Sequence, residues 1–215
     1  KGSQVFAGSD VVMELPRHER PLTKYPEVAM TAATTAGYTA SASSTYSSIF
    51  QPIWKVFDGV SDGGWLSGDN STYNATGSAE ASDTFESIYG SYVGIQLPNK
   101  IKVQYIVIKN RDSETNRNPK TGILWGKLDN VWVRMKDFSG LNTDPGATNE
   151  VQINAAYFYE EYTLQITEIE PFAGTSPGPL LSIGEWELYG TEEGDTSVDV
   201  VHRSIPNTPG QQQLA

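Results

Sequence analysis

A stretch of alternating apolar residues, Tyr92-Val-Gly-Ile-Gln-Leu97, precedes a continuously apolar stretch, Tyr105-Ile-Val-Ile108. Because successive side chains of a strand point to opposite faces, the alternation predicts a strand over Tyr92–Leu97 with one apolar face. The second stretch is apolar on both faces, which predicts a central, covered strand within Ile101–Asn110. The two stretches therefore place the core of a β domain in the middle of the chain.

Working outward, alternation predicts further strands over Val131–Phe138, Tyr162–Thr167 and Ile183–Tyr189. Loops rich in Gly, Asn, Ser and Pro separate the strands, at 58–82, 111–122, 139–149 and 171–180. No long segment combines helical periodicity with capping residues. Short strands joined by long polar loops predict an all-β, antiparallel sandwich of the jelly-roll type. We expect its core to include the aromatic residues Trp54, Phe57, Trp65, Trp125, Trp132 and Trp186.

Composition limits the possible functions. The chain has 215 residues, of which 38% are hydrophobic, and it contains no Cys, which excludes disulfides, zinc–thiolate sites and thiol nucleophiles. No apolar run approaches the roughly 18 residues that a membrane-spanning helix needs. The only two histidines, His18 and His202, lie in opposite terminal segments, which disfavours histidine metal clusters and catalytic triads.

The two ends of the chain differ from its middle. The first 30 residues contain three prolines at five-residue spacing, Pro16, Pro21 and Pro26, and proline disfavours helix. After Gly190 the chain becomes acidic and then rich in Ser, Pro and Gln, a composition that does not support a packed core. We therefore predict an extended N-terminal arm over 1–30, a β-sandwich over 31–190 and a C-terminal arm over 191–215.

Charge is unevenly distributed along the chain. The net charge of −11 disfavours nucleic acid and anionic membrane surfaces as partners. Residues 100–136 nevertheless hold nine Lys and Arg against three acidic residues, whereas residues 137–190 hold nine acidic residues and no base. One interpretation is that basic strands pair with acidic strands across a sheet. The other is a cationic patch for an anionic glycan.

The order of the strand motifs is more specific than any single motif. In sequence they are Ala42-Ser-Ser, Phe57-Asp-Gly, Gly64-Trp-Leu-Ser, Tyr92-Val-Gly-Ile-Gln-Leu, Tyr105-Ile-Val-Ile-Lys-Asn-Arg, Pro119, Trp125, Trp132, Tyr159-Glu-Glu-Tyr-Thr-Leu-Gln-Ile-Thr and Ile183-Gly-Glu-Trp-Glu-Leu-Tyr-Gly. From about residue 38 to 190 this order resembles the discoidin-like family, also called coagulation-factor type C domains, which grades into galactose-binding-like carbohydrate-binding modules.

The resemblance implies a sandwich that binds its ligand without catalysis, through loops at one end. The chain departs from the family in lacking the disulfide of animal members, which favours microbial or viral relatives, and in the long loop over 58–91. Some relatives bind calcium after the Asp-Gly turn. The oxygen-bearing candidates for such a calcium site here are Asp58, Asp62 and Glu185, although two flanking positions of the family pattern hold Val60 and Gly63.

Candidate ligand-binding residues are aromatic and basic residues of the loops. Phe50, Tyr73 and Phe172 lie among small polar residues, and an exposed ring can stack on the apolar face of a sugar. Arg111 matches an arginine of sugar-binding relatives, and its planar fork can hold vicinal hydroxyls; a salt bridge to Asp112 or Glu114 is the alternative. Arg117, in the same loop, joins the predicted set.

Other motifs carry less weight. Asn70-Ser-Thr72 and Asn74-Ala-Thr76 are glycosylation sequons. The acid pairs Glu160-Glu161 and Glu185/Glu187 do not form a glycosidase dyad, because the first pair points to opposite faces and the second holds a structural position. Phosphate-binding loops and nucleophile elbows are absent from the sequence. The sequence therefore predicts a protein that is not an enzyme.

We expect a carbohydrate-recognition or attachment module, displayed extracellularly or on a virion surface, whose partners are a glycan or glycoprotein. The stretch from Glu19 to Met30 is similar to proteins of large DNA viruses and phages. The arms are expected to contact neighbouring subunits of an assembly. The alternative is a purely structural capsid or scaffold protein that uses the sandwich and arms for assembly contacts.

Overall fold

Thirteen strands and one short 3-10 helix are found in the part of the chain that the computed structural model describes, residues 22–69, 71–113, 116–171 and 178–193. The 3-10 helix is Ile53–Phe57. The strands are β1 Thr23–Tyr25, β2 Thr34–Thr35, β3 Tyr38–Ala42, β4 Trp65–Leu66, β5 Thr84–Phe85, β6 Ile88–Tyr89, β7 Tyr92–Lys109, β8 Pro119–Leu128, β9 Val131–Phe138, β10 Thr148–Gln152, β11 Tyr159–Ile169, β12 Ser182–Ile183 and β13 Glu185–Glu192. Within the described residues, no helix is long and apolar enough to cross a membrane.

Strand β7 joins the two predicted central stretches into one element of 18 residues. Its first half pairs with β3 and β11, so that Val93 lies opposite Ala42 on one side and Leu164 on the other. Its second half pairs with β13 and β10, which places Val107 between Glu187 and Glu150. The prediction of two separate strands was therefore wrong, because the chain continues through Pro98 while changing partners.

The change of partners along β7 builds the two layers. One layer contains β3, the first half of β7, β11, β8 and β9, and the other contains β1, β13, the second half of β7 and β10. Every pairing is antiparallel. The structure thus confirms the predicted antiparallel β-sandwich and the central position of the Tyr105–Ile108 stretch.

The core lies between the inner faces of the two layers. Phe57, Trp65 and Trp186 are almost completely buried there, and the rings of Phe57 and Trp186 are 5.6 Å apart. Trp54 is partly buried against the same core. Trp125 is buried as predicted, but it packs against the β5–β6 hairpin outside this cluster. Trp132 is only partly buried against the same hairpin, which corrects its predicted position.

The sandwich begins before the predicted boundary at residue 31. Strand β1 pairs with β13, so that Thr23 lies opposite Gly190. Met30 is fully buried, and its backbone N–H donates a 2.9 Å hydrogen bond to the Phe57 carbonyl. Residues 22–30 therefore belong to the sandwich and not to an arm, with Thr23–Tyr25 in its sheet. The same holds for residues 191–193 of the predicted C-terminal arm, because β13 runs to Glu192 and the Glu193 N–H donates to the Lys100 carbonyl. The rest of the predicted arms, residues 1–21 and 194–215, lies outside the described residues.

Basic and acidic residues meet across neighbouring strands. Three lysines form ion pairs in this way, at 2.9, 2.5 and 3.0 Å: Lys109 with Glu187, Lys120 with Glu168 and Lys127 with Glu161. Each pair neutralises a lysine that a cationic patch would need. For these lysines the structure confirms the cross-strand interpretation of the charge pattern.

Candidate functional site

Six loop segments converge at one end of the sandwich. This loop end consists of residues 43–52, 58–69, 110–113, 116–118, 139–147 and 178–184. Backbone hydrogen bonds join neighbouring segments: the Tyr46 N–H donates to the Leu66 carbonyl at 2.9 Å, and the Ser182 N–H donates to the Arg117 carbonyl at 3.0 Å. The family resemblance places ligand binding at such an end.

Both predicted arginines lie at the loop end, but they are buried within its framework. Arg111 and Arg117 are only 9% and 7% exposed. The Nε of Arg117 donates a 3.2 Å hydrogen bond to the Gly178 carbonyl, and the Arg111 carbonyl accepts one from the Gly146 N–H, also at 3.2 Å. These contacts join separate loops, and both side chains are largely buried, so ligand binding by Arg111 and Arg117 stays a prediction.

The predicted loop aromatics have different environments. Tyr73 is buried, and its hydroxyl donates to the Ile166 carbonyl at 2.8 Å and accepts from the Ser91 N–H at 3.0 Å. Burial raises the pKa of this phenol. The prediction of Tyr73 as a ligand-binding residue was therefore wrong, because its ring and hydroxyl are both used by the core. Phe172 lies outside the described residues.

Phe50 is the predicted residue that faces solvent. Its side chain is 75% exposed, and the adjoining Ile49 and Tyr46 are 79% and 53% exposed. Sequence analysis missed Ile49 and Tyr46, although both share the small polar surroundings that marked Phe50. The three exposed apolar residues lie within five positions of one segment of the loop end, and we call this segment the 46–50 platform.

The loop that carries the platform is held by a residue that sequence analysis did not identify. One oxygen of Asp83, Oδ2, accepts hydrogen bonds from the hydroxyls of Ser43, Ser44 and Ser91 at 2.7, 3.0 and 2.7 Å. The indole Nε1 of Trp65 donates to the Ser44 carbonyl at 3.2 Å. The platform is thus fixed at its base, while its apolar side chains remain exposed.

A buried carboxyl group anchors the 58–69 segment. Glu185 is 2% exposed, and both its oxygens lie within 3.0–3.1 Å of the Gly59 N–H that donates to them. Burial, together with the nearby negative charge of Asp58, raises the pKa of Glu185 to about 8, against the hydrogen bond from Gly59. Burial also raises the pKa of Asp58, whose Oδ1 accepts the Val60 N–H at 2.9 Å.

The three predicted calcium ligands, Asp58, Asp62 and Glu185, do not form one cluster of carboxylates in the described part of the chain. Calcium takes about six to eight oxygen ligands, usually with several carboxylates. Among the residues that the structure describes, no group of three or more His, Asp or Glu side chains could hold a metal ion. Asp62 is exposed, and the Glu185 oxygens already face a backbone N–H. The three predicted carboxylates therefore do not converge as a set, and a calcium site that also uses backbone carbonyls stays a prediction.

The acid pairs and the second sequon have structural partners. Glu161 and Glu187 accept hydrogen bonds from Lys127 and Lys109. The Asn74 side chain is bonded to Thr76 and Glu80. Asn70, the first sequon, lies outside the described residues.

Comparison with known proteins gives structural matches only. No protein-family model and no curated protein matches the sequence. The family 32 carbohydrate-binding module of NanJ from Clostridium perfringens, solved in complex with galactose, aligns over 72% of this chain and 94% of its own, with 18% identity and a TM-score of 0.52. The chain has the fold of these modules. This confirms the galactose-binding-like sandwich that the motif order predicted.

Two further structures extend the comparison. The F5/8 type C domain of a Bacteroides fragilis protein covers 80% of this chain and 98% of its own, with 11% identity and a TM-score of 0.55. Another family 32 module from Clostridium perfringens, in complex with GalNAc-β-1,3-galactose, covers 71% of this chain and 94% of its own, with 14% identity and a TM-score of 0.51. The fold is thus shared by the discoidin-like and the carbohydrate-binding branches of the predicted resemblance.

Proposed function

We propose that this chain is a non-catalytic carbohydrate-recognition module that binds glycan at the loop end. The observation that carries this proposal is the exposed 46–50 platform. Large apolar side chains that project together from a polar loop mark interaction sites on soluble proteins. The exposures of Ile49 and Phe50, 79% and 75%, are the largest among the exposed large hydrophobic residues of the described part of the chain.

The platform has the chemistry that a sugar requires. An aromatic ring packs against the apolar C–H face of a pyranose, while neighbouring polar groups bind its hydroxyls. Ser47 and Ser48 lie between Tyr46 and Ile49 and supply hydroxyl groups beside the rings. Because Asp83 and Trp65 fix the base of the loop, little ordering is required on binding, which favours affinity.

Galactose-containing glycans are the first ligands to test. The solved module of NanJ was crystallised with galactose, and a second module with GalNAc-β-1,3-galactose. These ligands belong to those proteins, and they serve here as a starting class.

The setting that we propose for this chain is extracellular, on a cell or virion surface. The arms are proposed to contact neighbouring subunits, and size-exclusion chromatography of the full chain against a chain trimmed to 22–193 tests this part.

A glycan array followed by calorimetric titration tests the glycan site. We expect the wild-type chain to bind a galactose-containing glycan and Phe50→Ala to weaken that binding roughly tenfold. Tyr157→Ala is the matched control, because Tyr157 is an aromatic residue that is 63% exposed in the β10–β11 connection, outside the loop end. Equal affinity of Phe50→Ala and wild type, or no binding to any glycan of the array, would contradict the proposal.

A further inference from the structure

The long loop between β4 and β7 forms a hairpin on the outer face of the sandwich. This hairpin consists of β5 and β6, in which Phe85 lies opposite Ile88. The ring of Phe85 contacts Tyr92 and Trp132 edge-on, with centroids 4.9 Å apart in each case, and lies 5.7 Å from Trp125. The hairpin is therefore packed onto β8 and β9 through an aromatic cluster, away from the core.

Two hydrogen bonds fix the position of the hairpin on the sheet. The Nε2 of Gln165, on β11, donates to the Ile88 carbonyl at 2.7 Å. The indole Nε1 of Trp125, on β8, donates to the Oε1 of the same Gln165 at 3.0 Å. Gln165 is completely buried beneath the hairpin. A hairpin held in this way forms a fixed wall on the sheet.

The turn of the hairpin is conformationally unfavourable. Its two central residues, Glu86 and Ser87, have φ values of +46° and +66°. Positive φ at both positions is typical of a type I′ turn, which prefers Asn-Gly or another pair with glycine. Side chains with a Cβ are disfavoured there. The packing against Trp125 and Trp132 must compensate for this turn.

A pocket of about 270 Å³ lies beside the hairpin wall. Ile88 of the hairpin forms one side, and β8, β9, β11 and Ser139, the first residue of the 139–147 loop segment, supply the rest. The remaining lining residues are Thr121, Gly122, Ile123, Arg134, Asp137, Phe138, Ser139 and Thr167. None of them belongs to the 46–50 platform.

The pocket combines hydrogen-bonding groups with small apolar surfaces. Arg134 and Asp137 form a two-point ion pair, with Nε and Nη2 of the arginine 2.7 and 2.8 Å from the two carboxylate oxygens. A guanidinium has five N–H groups, so this pair leaves three of them for a ligand. The Arg134 guanidinium also lies 5.9 Å from the Trp125 ring, which restricts its movement. The side chains of Arg134 and Asp137 are 47% and 62% exposed.

The charge balance selects the class of ligand. Because Arg134 and Asp137 neutralise each other, the pocket favours neither an anion nor a cation. The Ser139 hydroxyl adds a further polar group, and Ile88 contributes an apolar side. The hydroxyls of Thr121 and Thr167 donate to Glu168 and to the Thr121 carbonyl, so they are left as acceptors for a ligand. A neutral ligand with many hydroxyls and a small apolar face fits this mixture.

We propose that this outer-face pocket is a second binding site, which takes one neutral pyranose residue of a glycan. It goes beyond the function proposed for the loop end, since it uses a different face and different side chains. The ligand hydroxyls accept from the remaining N–H groups of Arg134 and donate to Asp137, while its C–H face packs on Ile88. Two sites on one module would let it bind two points of a polysaccharide chain.

Amide-resolved NMR titration tests the second site with free sugars. The probes are galactose, glucose, N-acetylgalactosamine and N-acetylglucosamine at millimolar concentration, with glucuronate as the anionic comparison. We expect at least one neutral sugar to shift the amides of Thr121, Ile123 and Ser139 saturably. Arg134→Met is expected to raise the dissociation constant roughly tenfold. Lys136→Met is the matched control, because Lys136 is a cation exposed on the same strand outside the pocket lining.

The outcomes separate this proposal from the loop-end site. Phe50→Ala is expected to leave the shifts of Thr121, Ile123 and Ser139 unchanged, even where it abolishes binding at the platform. Ile88→Ala provides a second variant that removes the apolar side without touching the ion pair. Absence of any saturable shift at these amides, an equal effect of Arg134→Met and Lys136→Met, or a response to glucuronate alone would each overturn the proposal.

Discussion

Two loops of similar composition differ completely in how they use their aromatic residue. Phe50 and Tyr73 both lie in segments rich in Ser and Thr, yet Phe50 is 75% exposed and Tyr73 is 3% exposed. The difference lies in their surroundings: the Tyr73 ring packs in the core, and its hydroxyl accepts from the Ser91 N–H and donates to the Ile166 carbonyl. One loop therefore displays its ring to solvent, while the other uses its ring to attach the loop to the sheet. The composition of a loop alone therefore does not predict whether its aromatic ring is exposed to solvent or buried against the sheet.

The largest effect on stability is expected from a variant that detaches the Tyr73 loop from the sheet. Tyr73→Ala removes a buried ring and leaves two buried backbone groups without their partner, so we expect a loss of about 3–5 kcal/mol of unfolding free energy. Phe50→Ala is the matched change in the displayed loop, and it is expected to alter stability by less than about 0.5 kcal/mol. Urea denaturation of the two variants measures both. Similar losses would contradict the assignment of one ring to the core and the other to solvent.

The second prediction concerns pH and the anchor of a third loop. Glu185 has a pKa of about 8 in the folded chain and near 4.5 when exposed. Between these values the unfolded chain has released a proton that the folded chain still holds, so stability falls as pH rises through this window. At about 1.4 kcal/mol for each pKa unit, the loss amounts to a few kcal/mol.

Glu185→Gln tests this prediction, because a glutamine carbonyl still accepts the Gly59 N–H without titrating. Denaturation midpoints measured below and above the window should fall for wild type and change much less for the variant. A wild-type midpoint that stays constant or rises with pH across the window would refute the buried, neutral carboxyl group.

Sequence periodicity accounts for the sheet better than for the site. Val131–Phe138 was predicted as a strand and is β9, since alternation along an isolated segment is a local property. Burial of Tyr73 depends on Ile166, 93 residues away, and the anchoring of Ser43 depends on Asp83, 40 residues away. Contacts at such separations leave no local pattern. The β5–β6 hairpin was also missed, because its strands have two residues each and its turn contains Glu-Ser where Asn-Gly would have been recognised.

The smallest effect is expected from Asp83→Ala, which loosens the loop that carries Phe50 without changing its exposed side chains. Asp83→Ala removes the acceptor of three serine hydroxyls; Ser43 and Ser44 are only partly buried, so water can replace the acceptor there, whereas Ser91 is fully buried. We therefore expect a loss of about 1–2 kcal/mol of unfolding free energy. Glycan affinity should fall severalfold more than stability alone explains, because a mobile 46–50 platform must be ordered on binding.

Asp69→Ala is the matched control for this variant, since Asp69 also accepts a serine hydroxyl, that of Ser71, but only two residues away. Calorimetric titration with the best array glycan, at a temperature where both variants are fully folded, isolates the effect of loop order. If Asp83→Ala and Asp69→Ala bound the glycan equally well, attachment of the loop base would have no part in recognition, and the platform would act through its exposed side chains alone.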